Sequence, residues 1–254
     1  MEIPHSAWLE LRGYGQVGIW PNLPDIHMAE TFARLDVDWI CFDLQHGLMD
    51  YSDLLRLLPA VCGLPVTPLV RVAANQPDQI GKALDAGAQG VIVPVVNSVA
   101  DAQQAAAACR YPPQGTRSCG PMRDAMIEGI DYLATANEQV ACVVMIETEE
   151  DLANVEAIAA VEGVDALFVG PMDLCYGLGL SPGQFADARF TDAITRILTA
   201  CKAHGRAAGY RFQLYPGGRH PGARGSSWRS RRAGPGVHRQ KIRLLKGVRY
   251  RSAR

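Results

Sequence analysis

Seven short runs of Val, Ile, Leu and aromatic residues recur between Gln16 and Tyr210, and the stretches between them carry apolar residues at helical spacing. The strand candidates are Gln16–Trp20, Trp39–Asp43, Thr67–Val72, Gly90–Val95, Cys142–Glu147, Ala166–Gly170 and Ala207–Tyr210. The helix candidates are Ile26–Leu35, Ser52–Val61, Pro77–Ala86, Val99–Cys109, Glu149–Ala160 and Ala188–His204. Nearly continuous apolar strands mean burial on both faces, as in a parallel sheet covered by helices. No Gly-x-Gly-x-x-Gly turn follows any run, so the pattern predicts an α/β fold of the (β/α)8 TIM-barrel type rather than a doubly wound sheet. Ser98 and Thr148, each followed three residues later by Asp, mark helix starts.

Charge divides the chain. Residues 1–209 hold 12 Lys or Arg against 26 Asp or Glu, whereas residues 210–254 hold 13 Lys or Arg and no acid. The eighth strand and last helix of a barrel should lie in this second part. They are not legible there: the segment is rich in Gly, Arg, Ser and Pro, and only Gln240–Val248 has some apolar content. The expected organisation is a barrel over residues 1–209, about six to seven β/α units, with the C-terminal unit missing or aberrant. Residues 210–254 then form a basic tail, out of frame or disordered. Seven cysteines with no Cys-x-x-Cys pair read as small core residues. No charged-then-apolar leader and no apolar run of about 18 residues is present, so a cytoplasmic protein without a membrane span is the expectation.

The strand ends carry the chemistry. Glu147 closes the run Val143–Ile146, and Asp173 follows the next run through Gly170-Pro171-Met172. One β–α–β step separates them, so both carboxylates should sit on one face of the sheet. Two carboxylates leave a hard divalent ion such as Mg2+ or Mn2+ with open positions for an oxygen-chelating substrate, for example a 2-oxo acid. His46 and Arg71 end neighbouring strands on the same rim. Arg71 can set positive charge against a developing enolate oxygen, and His46, oriented by Asp43, can act as general base. Backbone N–H groups around Gly170, Pro171, Met172 and Asp173 could hold the substrate carboxylate, although a plain tight turn fits Gly170-Pro171 as well. Only two lysines precede residue 210, Lys82 and Lys202, and both fall in helix candidates, which disfavours a Schiff-base mechanism. Tyr111–Arg117 reads as a long rim loop, its Arg117 facing substrate or pairing with a surface acid.

With these residues assembled, the chain resembles the HpcH/HpaI aldolase family over about residues 13–209. The matching pieces are residues 38–47 around Phe42-Asp43-Leu44-Gln45-His46, Leu69-Val70-Arg71-Val72, residues 84–94, Arg110–Arg117, Met145-Ile146-Glu147-Thr148 and residues 164–174 around Gly170-Pro171-Met172-Asp173. The resemblance implies a class II, metal-dependent pyruvate aldolase cleaving 4-hydroxy-2-oxo acids to pyruvate and an aldehyde. It implies Glu147 and Asp173 as ligands of Mg2+, Mn2+ or Co2+, Arg71 as the carbonyl and enolate contact, and His46 as base with Asp43 as its partner. Residues 171–173 become the carboxylate clamp. It also implies a homohexamer, packed through a closing helix that the tail does not show.

Two positions depart from the family pattern: Met145 stands where many members have a Gln, and Gln45 where others have Glu. The tail has the composition of a shifted reading frame in a GC-rich gene. Rival readings are a citramalyl- or malyl-CoA lyase-like enzyme, for which residues before 210 offer few cations, and an inactive barrel remnant whose basic tail binds a polyanion. Nucleic acid is not the expected partner.

Overall fold

Side chains alternate across a strand with a period of two, and this alternation sorts the molecule into two apolar layers. The computed structural model describes residues 16–129, 131–211 and 241–245. Seven strands, β1 (Gln16–Ile19), β2 (Trp39–Asp43), β3 (Thr67–Arg71), β4 (Gly90–Val93), β5 (Ala141–Ile146), β6 (Ala166–Val169) and β7 (Ala207–Arg211), pair in sequence order and in parallel. The result is a curled α/β sheet. The place between β7 and β1 is taken by β8 (Lys241–Leu245), which runs antiparallel to both and closes the ring. The seven parallel strands agree with a barrel whose C-terminal unit is aberrant, and β8 uses the one stretch of the tail with apolar content. Of the expected tail, Phe212–Gln240 and residues 246–254 lie outside the described residues.

Inward positions form the lumen: Trp20, Trp39, Cys41, Leu69, Ile92, Val143, Met145 and Phe168 pack as one cluster. Trp20 lies 5.6 Å from Phe168 and 6.5 Å from Trp39, centroid to centroid. Gly18 is required by this filling, since a Cβ there would come within 2.1 Å of the Trp39 ring. Outward positions such as Ile40, Phe42, Val70, Val91, Val144 and Leu167 pack against the helices in a second, larger cluster. Burying a side chain of this size contributes about 1.5–3 kcal/mol, so this layer is the main source of stability.

The helices are α1 (Ile26–Ala33), α2 (Tyr51–Val61), α3 (Pro77–Asp85), α4 (Val99–Cys109), α5 (Met122–Glu128), α6 (Tyr132–Gln139), α7 (Glu149–Ala153), α8 (Val155–Ala160), α9 (Pro171–Gly177) and α10 (Ala188–Ala203). Asp50, Ser98 and Thr148 cap α2, α4 and α7, each in a reciprocal box with the Asp three residues on. The single helix expected over Glu149–Ala160 is broken at Asn154, whose side-chain amide donates to the Asn97 carbonyl at 2.8 Å. Gly170-Pro171 opens α9, with Pro at the first helical position, where its missing N–H costs nothing. Helices α5 and α6 fall in a stretch for which no element was predicted.

Candidate active site

Period-two alternation carries polar residues to the top of the lumen wherever a strand ends on an inward position. Asp43 follows Trp39 and Cys41 on β2, Arg71 follows Leu69 on β3, and Glu147 follows Val143 and Met145 on β5. All three are buried, with relative exposures of 0%, 2% and 4%.

Asp43 and Arg71 form a two-pronged ion pair: Arg71 Nε donates to Asp43 Oδ1 at 2.8 Å and Arg71 Nη2 to Oδ2 at 2.5 Å. The Trp20 indole N–H donates to Oδ2 at 3.0 Å, and the backbone N–H groups of Gln45 and His46 donate to Oδ1 at 3.0 and 3.1 Å. Burial pushes the Asp43 carboxyl up, but the hydrogen bonds and charge of Arg71, with those of His46 and Trp20, outweigh it and hold the carboxyl at about 2. The Arg71 guanidinium also stands 4.9 Å from the Trp20 ring centroid, and that of Arg211, at the end of β7, stands 4.8 Å from it.

This arrangement corrects the partnership read from the sequence. Asp43 meets His46 through the His46 backbone N–H, while its oxygens are occupied by Arg71 and Trp20; the His46 side chain is exposed on the rim. Asp43 therefore shapes the turn that carries His46, and its side chain serves Arg71.

Glu147 and Asp173 follow the C-terminal ends of the neighbouring strands β5 and β6. Asp173 lies exposed in the first turn of α9, the helix that starts directly beyond β6, beside β5. Glu147 Oε1 accepts from the Val95 N–H at 2.9 Å, and the Glu147 N–H donates to Asp151 Oδ2 at 2.8 Å. A Cβ on Gly170 would lie 2.6 Å from Glu147 Oε2, so that oxygen faces the start of α9. Burial raises the Glu147 carboxyl to about 7; the Val95 hydrogen bond and the Arg71 charge lower it, and the Asp173 charge raises it. Both charges are thus near enough to act on the Glu147 carboxyl. Met145 sits below it, in the lumen cluster, and presents only an apolar surface.

The donor set suits a hard divalent cation. Glu147 offers a carboxylate raised by burial and by the Asp173 charge, and Gly170 leaves the space beside its Oε2 free of a side chain. Among the described residues no group of three or more His, Cys, Asp or Glu gathers as a metal cluster, so such a cation would rely on these two side chains and on substrate or water oxygens.

The loop Tyr111–Arg117 lies at the opposite end of the sheet. It leads from α4 back toward the start of β5; Arg110 Nη2 donates at 3.0 Å to Asp165, just before β6, and Arg117 Nη2 donates at 2.7 Å to Asp85, at the end of α3. Of the two roles read for Arg117, this geometry selects the pairing with an acid.

A family profile described as HpcH/HpaI aldolase/citrate lyase matches residues 16–211. The chain belongs to the HpcH/HpaI aldolase/citrate lyase family. It is 41% identical over 205 residues to a hydroxypyruvate/pyruvate aldolase of Rhizorhabdus wittichii, covering 80% of this chain and 81% of that relative. It is 39% identical over 213 residues to a pyruvate aldolase of Rhizobium etli, covering 82% and 84%. Among solved structures, an HpcH/HpaI aldolase/citrate lyase family protein of Burkholderia cenocepacia superposes with a TM-score of 0.71 at 39% identity, covering 76% of this chain and 78% of the other. The HpcH/HpaI match thus takes in β1 to β7 and every rim residue described above. It ends at Arg211, two residues beyond Gly209, the last residue before the basic tail.

Proposed function

We propose that this chain is a class II pyruvate aldolase, a carbon–carbon lyase that cleaves 4-hydroxy-2-oxo acids to pyruvate and an aldehyde with the help of Mg2+, Mn2+ or Co2+. The observation that carries the reading is the placing of Glu147 and the buried Arg71–Asp43 pair at the C-terminal ends of parallel strands, with Asp173 in the turn beyond β6, on the rim where enzymes of this architecture hold their chemistry. Relatives named for pyruvate and hydroxypyruvate support the substrate class. Glu147 and Asp173 would hold the cation, which when bound supplies Lewis-acid charge at the 2-oxo group.

The remaining work falls to the chain's own groups. Asp43 binds Nε and Nη2 of Arg71, which leaves Nη1 as the edge of the guanidinium for an incoming oxygen, already oriented and needing no rearrangement. The N–H groups of Met172 and Asp173, in the first turn of α9, have no acceptor within the helix and would hold the substrate carboxylate beside Gly170 and Pro171. His46, exposed on the rim, takes the proton of the 4-hydroxyl as the C3–C4 bond breaks; the electron pair passes to the 2-oxo oxygen near Arg71, and a proton returned to C3 completes pyruvate. Among the described residues no helix is long and apolar enough to cross a membrane, and we place the enzyme in the cytoplasm.

The architecture we propose is a (β/α)8 barrel whose last unit is displaced by an out-of-frame tail from about residue 210. The end of the family match at Arg211 and the loss of acids beyond Gly209 support this reading. A frame-restored chain would regain the closing helix through which a hexamer packs.

Pyruvate release from a 4-hydroxy-2-oxo acid, followed by coupled oxidation of NADH, is the test. Turnover should require an added divalent cation, stop with chelator, and fall at least about 1,000-fold in Glu147→Ala. Turnover that survives chelation would overturn the metal-dependent mechanism.

A further inference from the structure

Val95 adopts a backbone conformation that its own side chain opposes. Its φ is +53°, and it is the only non-glycine residue with positive φ among the described residues. Valine is β-branched, and the left-handed region brings Cβ against the neighbouring carbonyl. Burial does not offset this, because the side chain is 51% exposed at the barrel mouth. The conformation does achieve one thing: it directs the Val95 N–H onto Glu147 Oε1, 2.9 Å away across 52 residues of chain.

The surroundings hold this geometry from both sides. Before Val95, strand β4 is paired with β5 through Val93 and Val144. After it, Val96 is completely buried, and Asn97 is fixed at three atoms: its N–H donates to Asp101 Oδ2 at 3.2 Å, its carbonyl accepts from Asn154 at 2.8 Å, and its Oδ1 accepts from the Thr148 hydroxyl at 2.9 Å. Thr148 and Asn154 belong to the segment that directly follows Glu147. Strain at one residue persists when its neighbours over-determine it, and such strain gathers at functional sites.

Resting on the aldolase reading above, we propose that Val95 is a positioning residue. Its left-handed backbone clamps one oxygen of Glu147 and so turns the other, Oε2, toward Gly170 and the helix that carries Asp173, where the divalent cation would bind. Groups that orient metal ligands in this way commonly change metal affinity by about 10–100-fold when removed.

The test uses the full chain and Mn2+ as the probe, with binding read by electron paramagnetic resonance and folding by thermal melting. Replacing the Val95 residue by its α-hydroxy acid exchanges the N–H for an ester oxygen and leaves the side chain in place. The Mn2+ dissociation constant should rise about 10-fold. Val95→Asn keeps the N–H and suits the left-handed region; it should bind Mn2+ as the unaltered chain does and melt at a higher temperature. Unchanged Mn2+ affinity in the ester chain overturns the proposal, as does a Val95→Asn chain that binds more weakly or melts no higher. Failure of the unaltered chain to bind Mn2+ at all would instead overturn the metal-dependent reading, and this proposal with it.

Discussion

Two Arg–Asp pairs, each with a buried guanidinium, stand at opposite ends of the sheet, and they differ in what surrounds them. Arg71–Asp43 closes the top of the lumen, with Asp43 also held by Trp20 and two backbone N–H groups. Arg117–Asp85 lies beside the starts of the strands, where Arg117 packs 4.5 Å from the Tyr111 ring centroid and also neighbours the Tyr132 hydroxyl. Burial there pushes the Tyr111 hydroxyl up to about 12. The first pair stands at the strand ends on the same side as Glu147, whose carboxyl the Arg71 charge lowers; the second ties a loop to a helix. On the proposed function, similar chemistry serves reaction at one end and attachment at the other, because βα turns gather over the lumen while αβ turns spread around its foot.

The sharpest way to break this contrast is to remove Arg71. Arg71→Ala should lower kcat/KM for pyruvate release by about 100- to 1,000-fold, and it leaves Asp43 buried and unpaired, at about 3–5 kcal/mol of stability in urea denaturation. Arg71→Lys restores charge without the two-pronged geometry and should recover stability better than rate. If activity and stability recover together, the pair at the top is as structural as the one below.

Arg117→Ala should show the converse. We expect a loss of up to about 3–5 kcal/mol in the same denaturation experiment, reduced because Asp85 is 28% exposed and can rehydrate. The folded fraction should keep its kcat. A tenfold fall in kcat at constant folded fraction would bring the loop into the reaction.

The smallest effect is in pH dependence. Glu147 at about 7 and Asp151 at about 6 are both raised by burial, so the folded state keeps their protons longer than the unfolded state does. Their contribution is full below about pH 4 and is lost as pH rises through the folded values. Asp43, at about 2, works in the other direction: its contribution is present above about pH 4 and is lost as pH falls toward 2. Melting of the chelator-treated chain should therefore decline between about pH 5 and 7.5. Glu147→Gln should remove the decline above pH 6, about 1.4 kcal/mol, within a total Glu147 share of about 3 kcal/mol between pH 4.5 and 7. A melting curve equally steep in that variant would remove Glu147 as its source.

Much of the strand series was legible because burial on both faces leaves little choice of residue. Trp39–Asp43 and Val99–Cys109 were placed to the residue, and the outer bounds of the other expected elements fall within two positions of those observed. Helices α5 and α6 were not, since Met122–Gln139 mixes polar and apolar residues without one clear face. The break at Asn154 depends on a hydrogen bond to Asn97, 57 residues away, which no local period reveals. Within the site, the convergence of the strand ends followed from parallel topology. Val95 escaped because valine in a left-handed conformation contradicts its local preference, and only an unlikely residue type for that φ could have hinted at it.

Local sequence was sufficient to determine which residues reach the rim, since a period of two along β2, β3 and β5 leads from apolar lumen positions to Asp43, Arg71 and Glu147 without any knowledge of neighbours. Tertiary structure alone decided how those residues divide their contacts: Asp43 with Arg71 across 28 residues rather than with the His46 side chain, and Glu147 with the Val95 N–H across 52. Hydrogen bonds are satisfied at about 3 Å, and distances of that size between remote segments exist only once the sheet has curled.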